Sequence, residues 1–208
     1  RPEEVLLCAA TKMNDAARVR EAVAAGVDCC GENRVQELTQ KLSERAYDGA
    51  PVHFIGHLQT NKVKQVVGKV ALIQSVDRLE LLRRIEHEAE KQGILQDILL
   101  EVNVAAEESK SGFTPELAPE IAAQMVEYPH CRLRGLMAIP PISEKNGDNC
   151  RYFEKIHTIA VDITAKKYDN VCMDCLSMGM SEDYADAIAC GSTMIRVGTA
   201  IFGARIYK

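Results

Sequence analysis

The chain lacks any excess of positive charge: 25 Lys and Arg stand against 30 Asp and Glu, with both signs interspersed and a formal net charge of −5. It therefore has no basic stripe of the kind that neutralises phosphate backbones, and nucleic acid is not expected as a partner. Long apolar runs are missing too. None approaches the roughly 18 residues of a membrane span, and the chain opens on Arg1-Pro2-Glu3-Glu4 rather than on a basic and then apolar leader. No membrane association is expected, and the cytoplasm is the expected compartment. Low-complexity linkers are absent as well, so the 208 residues read as one domain. At 47% apolar and 26% charged residues, the composition suits a globular chain with a real core.

A complete metal-binding motif is also lacking. Cys172-Met173-Asp174-Cys175 has the spacing of a zinc or redox pair, but no second CxxC or His pair completes four ligands, and no metal site is expected. Of the 8 cysteines, Cys8, Cys29, Cys30, Cys131 and Cys190 sit in or beside apolar runs, as small buried hydrophobes do, so free thiols are expected rather than a disulfide framework.

What is present is a regular alternation of short β-branched runs and longer helical patterns. Eight strands are predicted at Val5 to Thr11, Asp28 to Cys30, His53 to Gly56, Leu72 to Ser75, Asp97 to Val104, Arg132 to Ala138, Val171 to Ser177 and Met194 to Val197. Helices are predicted at Asp15 to Ala25, Arg34 to Ala46, Arg78 to Gln92, Pro115 to Glu127, Asn149 to Lys166 and Glu182 to Ala189, with Gly26 and Gly93 at C-cap positions. Alternation implies parallel pairing, and eight units are the number that closes a (β/α)8 barrel. The alternative, an open doubly wound sheet, is disfavoured because the first strand-to-helix turn, Thr11-Lys12-Met13-Asn14, lacks the glycine fingerprint of dinucleotide binders. The chain is short for a barrel, typically about 250 residues. Residue 1 lies close to the first strand and is not Met, so an N-terminal helix is expected to be missing.

In such a barrel, reactive groups gather just after the C-terminal ends of the strands. Those positions here hold Lys12, Gly31-Glu32-Asn33, Gly56-His57 through Lys62, Ser75 and Asp77, Ser109-Lys110-Ser111-Gly112-Phe113, Ser177-Met178-Gly179-Met180-Ser181 and Arg196-Val197-Gly198-Thr199. The loops after strands seven and eight are where barrels commonly bind phosphate. Gly179 and Gly198 would let the backbone approach an anion, and Ser177, Ser181 and Thr199 could add hydroxyl donors. Either loop alone reads equally well as a tight turn. Lys12, at the barrel mouth, is a candidate amine nucleophile whose pKa desolvation can lower, although a solvated loop lysine is the plainer alternative. A reactive lysine beside a phosphate pocket points to a phosphorylated aldehyde or ketone, pyridoxal 5′-phosphate being the leading case.

Ala9-Ala10-Thr11-Lys12, Gly31-Glu32-Asn33-Arg34-Val35-Gln36-Glu37, His53 through Lys62, Ser109 through Phe113, Ser177 through Ser181 and Gly191 through Gly203 together resemble the pyridoxal phosphate homeostasis proteins, in order and over almost the whole chain. The resemblance implies an alanine-racemase-like barrel, pyridoxal phosphate linked to Lys12, and Arg196 facing the pyridine nitrogen. It places the phosphate near Ser177, Ser181, Gly198 and Thr199, counts Met180 among the cofactor-binding residues, and sets Asn33 and His57 at the cofactor's other edges. Many relatives read Thr-Lys where this chain has Met13-Asn14. Lys110 is either a second acceptor for the aldehyde or a surface lysine beside Glu107 and Glu108. His57 either orients a ligand or satisfies backbone groups at a helix start. Arg196 could alternatively pair with a rim carboxylate.

Racemases of this resemblance take a second acid from a separate β domain, and the chain ends at Lys208, directly after the eighth unit. The expectation is a non-enzymatic, monomeric carrier or buffer of pyridoxal phosphate that serves cofactor and amino-acid homeostasis, with apo forms of pyridoxal-dependent enzymes as possible recipients. A weak amino-acid racemase and a lysine-dependent phosphosugar aldolase remain as alternatives.

Overall fold

A computed structural model describes residues 4–107, 110–141 and 147–203. Strands β1 (Leu6–Ala10), β2 (Cys29–Glu32), β3 (Val52–Phe54), β4 (Leu72–Val76), β5 (Gln96–Val102), β6 (Cys131–Ala138), β7 (Val171–Ser177) and β8 (Met194–Val197) lie in sequence order around a closed barrel. Closure is made by parallel pairing of β8 with β1, with Cys8 level with Arg196 and Ala9 with Val197. The open-sheet alternative is thereby excluded.

Helices α1 (Ala16–Ala24), α2 (Val35–Ser43), α3 (Leu79–Gln92), α4 (Leu117–Ala123), α5 (Cys150–Lys166), α6 (Tyr184–Ala189) and α7 (Thr199–Phe202) pack outside. Their sequence periodicity explains the packing. In α5, Phe153, Ile156, Ile159, Ala160 and Ile163 recur at helical spacing and are buried, whereas the charged residues between them, such as Glu154, Lys155 and Asp162, are exposed. Phe153 is fully buried, and truncating it to Ala should cost about 3–5 kcal/mol. Local signals fix the helix ends. The Asp15 carboxylate accepts from the Arg18 amide at 2.9 Å and starts α1, while Gly93, at φ 64°, ends α3 in the left-handed conformation that glycine adopts without strain.

Sequence and structure differ at three places. The segment after β3 contains a 3-10 helix at Thr60–Gln65, which has no sustained apolar stripe. The fourth predicted helix divides into α4 and a 3-10 turn at Gln124–Glu127. A one-turn helix, α7, follows β8. None of the described helices is long and apolar enough to cross a membrane.

Two apolar layers result. The larger lies between strands and helices, and a smaller one fills the barrel interior around Cys8, Cys29, Leu72, Leu99, Met137 and Met194. All 8 cysteines are free. Cys172 and Cys175 stand three apart on β7, so strand alternation turns them to opposite faces: Cys172 is exposed and Cys175 is buried in the inner layer. The pair cannot chelate one ion.

Candidate functional site

Lys12 sits just beyond β1 on a peptide held from below. Thr11 is fully buried; its amide donates to the Gly31 carbonyl at 2.9 Å and its hydroxyl to Glu32 Oε1 at 2.6 Å. Lys41 reaches in from α2, donating to Thr11 O at 2.8 Å and Glu32 Oε1 at 2.6 Å. The Tyr47 hydroxyl donates to the same Glu32 oxygen at 2.9 Å. Burial and the Glu32 charge push the Tyr47 phenol well above its ordinary range, so it remains a donor. On the other side of Lys12, Met13 takes a left-handed φ of 62°, and its amide donates to Glu37 Oε2 at 2.7 Å. The side chain of Lys12 is half-buried.

Arg196 is buried inside the barrel. Its Nη1 donates to the carbonyl and the hydroxyl of Ser177, both at 2.6 Å, and its Nη2 to the Ala138 carbonyl at 3.0 Å. Desolvation pulls the guanidinium pKa down, opposed by Cys8 and Glu101 among its neighbours. These acceptors are two carbonyls and a hydroxyl rather than a rim carboxylate. The expectation that Ser177 adds a donor to phosphate needs correction. That hydroxyl is fully buried and gives its proton to Gln74 Oε1 at 2.6 Å, so Ser177 works beneath Arg196.

The loops after β7 and β8 meet. The Ser181 hydroxyl oxygen lies 3.4 Å from the amide nitrogens of both Gly198 and Ala200, so two backbone donors at the start of α7 converge on one point. Gly198 abuts β1: a Cβ there would stand 3.4 Å from the Ala10 Cβ, an ordinary contact. The backbone of Gly179 itself requires glycine. It has φ 89°, and a Cβ would stand 2.6 Å from the Ala187 Cβ. The Met180 amide is taken by Asp183 Oδ1 at 2.7 Å, and Thr199 is exposed at the helix start.

A cavity of about 280 Å³ opens on the same rim, lined among others by Asn33, His57, Glu101, Asn103 and Lys110. Asn33 Oδ1 is buried and has no hydrogen-bond partner, an acceptor a ligand could satisfy. His57 is half exposed, its Nδ1 2.9 Å from Asp77 Oδ2. The Lys110 ammonium pairs with Glu107 at 2.7 Å while still lining the cavity; Ser109 and Glu108 lie outside the described residues.

Sequence reasoning missed Glu101, Gln74 and Lys41. Burial and the Asp77 charge push the Glu101 carboxyl up to about 7, and Arg196 pulls it partly back. The available signal was strand alternation, which turns Glu101 and Gln74 inward with Leu99 and Leu72.

A profile of the alanine racemase N-terminal domain matches residues 3–206. The pyridoxal phosphate homeostasis protein of Aquifex aeolicus is 44% identical over 91% of this chain and 82% of its own length. That of Escherichia coli K12 is 41% identical over 100% and 88%. The structure of PipY from Synechococcus elongatus with PLP bound superposes with a TM-score of 0.87 at 33% identity, covering 98% of this chain and 94% of PipY. The chain belongs to the alanine racemase N-terminal domain family, in the branch of the pyridoxal phosphate homeostasis proteins.

Proposed function

We propose that the chain binds pyridoxal 5′-phosphate as a Schiff base on Lys12 and acts as a cofactor homeostasis protein rather than as an enzyme. The observation that carries the reading is the convergence at one barrel mouth of Lys12, the Ser181–Gly198–Ala200 donor cluster and the buried Arg196 guanidinium. The orphaned Asn33 Oδ1 and the two converging amides fit a polar, phosphorylated ligand. The relative PipY, seen with PLP bound, supports the same assignment.

The roles follow from chemistry. Lys12 supplies the amine, held in place by the anchored Thr11 carbonyl. Ser181, Gly198 and Thr199, with Met180 beside them, receive the phosphate, where amide N–H groups favour an anion. Asn33 and His57 line the remaining edges. Arg196 opposes the ring nitrogen, and Ser177 and Gln74 hold Arg196 in place. A guanidinium has no proton to give at neutral pH, so it leaves that nitrogen unprotonated and weakens the electron sink that carbanion chemistry needs. Binding and release are then favoured over turnover. We place the protein in the cytoplasm as a monomeric, single binding domain, with apo pyridoxal-dependent enzymes as its recipients.

Two measurements test the reading. The chain loaded with pyridoxal phosphate should show the visible band of a lysine-bound pyridoxal, and Lys12→Ala should lose it. Incubated with L-amino acids in deuterated water, the loaded chain should exchange the α-proton no faster than free cofactor does. Sustained Lys12-dependent exchange would replace the carrier with a racemase.

A further inference from the structure

Beneath the rim, a second chemically distinctive cluster occupies the barrel interior. Cys8 on β1, Cys29 on β2 and His53 on β3 are all buried, and one potential ligand atom from each lies within 4.8 Å of the other two. Barrel register creates the group: Cys8 is level with Cys29, and His53 with Gly31, two residues further along β2. We propose that Cys8, Cys29 and His53 bind a thiophilic d10 cation, Zn2+ or Cu+, through two thiolates and one imidazole.

Several features favour a site over three core residues that happen to touch. The donor set of two sulfurs and a nitrogen selects soft cations over Mg2+ or Ca2+. A ligating imidazole ordinarily has its second ring nitrogen held by a polar partner. Here the Gln74 side-chain amide lies 3.0 Å from His53 Nδ1, so Nε2 is the ring nitrogen left for a metal. Amide orientation can invert, so Gln74 can accept from Nδ1–H when Nε2 is ligated; its NH2 group then faces the Ser177 hydroxyl, which accepts from it instead of donating. A cavity of about 340 Å³ at the N-terminal end of the barrel reaches His53, beside Cys175 and Met194, and the Asp97 and Asp174 carboxylates that also line it are held in ion pairs with Arg132 and Arg134. Metal–sulfur and metal–nitrogen bonds of about 2.3 and 2.0 Å require the three atoms to draw in by at most about an ångström, within reach of side-chain rotation.

The Cys8 and Cys29 thiols hydrogen-bond each other, and that contact with burial raises the Cys29 pKa strongly. Coordination converts both thiols to thiolates and releases two protons to solvent; no electron is transferred. With Zn2+ the site is neutral, and with Cu+ its single negative charge lies near Arg196, which is level with Cys8 on the neighbouring strand. The proposal is independent of the Lys12 reading.

The full chain, reduced and free of pyridoxal phosphate, is titrated with Co2+ as a spectroscopic probe, and separately with Zn2+ and with Cu+ against a competing chelator. One equivalent should bind, with a thiolate-to-cobalt charge-transfer band for Co2+. Retention of Zn2+ or of Cu+ identifies the preferred ion. Cys8→Ser, Cys29→Ser and His53→Gln should each lower affinity at least 100-fold, while Cys172→Ser, on the outer face of β7, should leave it unchanged. X-ray absorption on the metal-loaded native sequence reads the ligands without any variant and should find two sulfurs and one imidazole nitrogen. Retention of none of the ions, or a shell of oxygen and nitrogen alone, overturns the proposal.

Discussion

Lys41 donates from its ammonium to the carbonyl oxygen of Thr11 at 2.8 Å, so the peptide unit preceding Lys12 is anchored by a buried charge from α2. The same ammonium neutralises Glu32, which is itself fully buried with its Oε2 unpartnered. Removing one member of a buried pair strands the other. Lys41→Met should therefore destabilise the fold by about 3–5 kcal/mol, and combining it with Glu32→Gln should recover part of that loss. Urea denaturation of the two variants checks this; equal stability of Lys41→Met and the native chain would remove the anchor from the account.

Arg196 and Ser177 supply a second expectation. Lysine keeps the charge of Arg196→Lys but cannot span the Ser177 carbonyl, the Ser177 hydroxyl and the Ala138 carbonyl as the planar fork does. The variant should lose about 1–3 kcal/mol, the cost of leaving a buried acceptor unmet. Thermal unfolding at matched pH measures it.

Glu101 makes stability depend on pH. Its folded pKa of about 7 lies above the ordinary carboxylate range, so the folded chain binds a proton that the unfolded chain has released. Its contribution is full below the ordinary carboxylate pKa and is lost as pH rises through about 7, a change of up to about 3 kcal/mol. Asp77 reinforces the effect, Arg196 opposes it, and His57 and Lys110 line the same cavity. Glu101→Gln should flatten that part of the stability profile. An unchanged slope would assign the titration to another group.

Ser181 is the most economical test of the anion subsite. Its hydroxyl shares two backbone donors with any phosphate bound there. Ser181→Ala should weaken retention of pyridoxal phosphate by roughly tenfold, the worth of one hydrogen bond to a charged group. Equilibrium dialysis with pyridoxal, which lacks the phosphate, serves as the comparison and should show no such difference.

The strand count and barrel closure were legible because each buried strand is a short apolar run between helical stripes. The limits of that signal show at Thr60–Gln65 and at α7, which are too short to carry a periodic face. Lys41 illustrates a deeper limit. Three residues after buried Leu38 it falls on the inner face of α2, but a lysine there reads as an exposed position, and only the pairing of β1 with β2 brings Thr11 and Glu32 beneath it. The Ser177 hydroxyl shows the same limit, because its partner Gln74 lies 103 residues away. Cys172 and Cys175 matched a motif in sequence, yet strand geometry separates them, while Cys8, Cys29 and His53 match no motif and meet in space.

The central claim is the bond to Lys12. Borohydride reduction of the chain loaded with one equivalent of pyridoxal phosphate, followed by peptide mass mapping, reads it directly. The account predicts one phosphopyridoxyl adduct, on the peptide carrying Lys12. An adduct chiefly on Lys110 or another lysine, or no stable adduct, would contradict it.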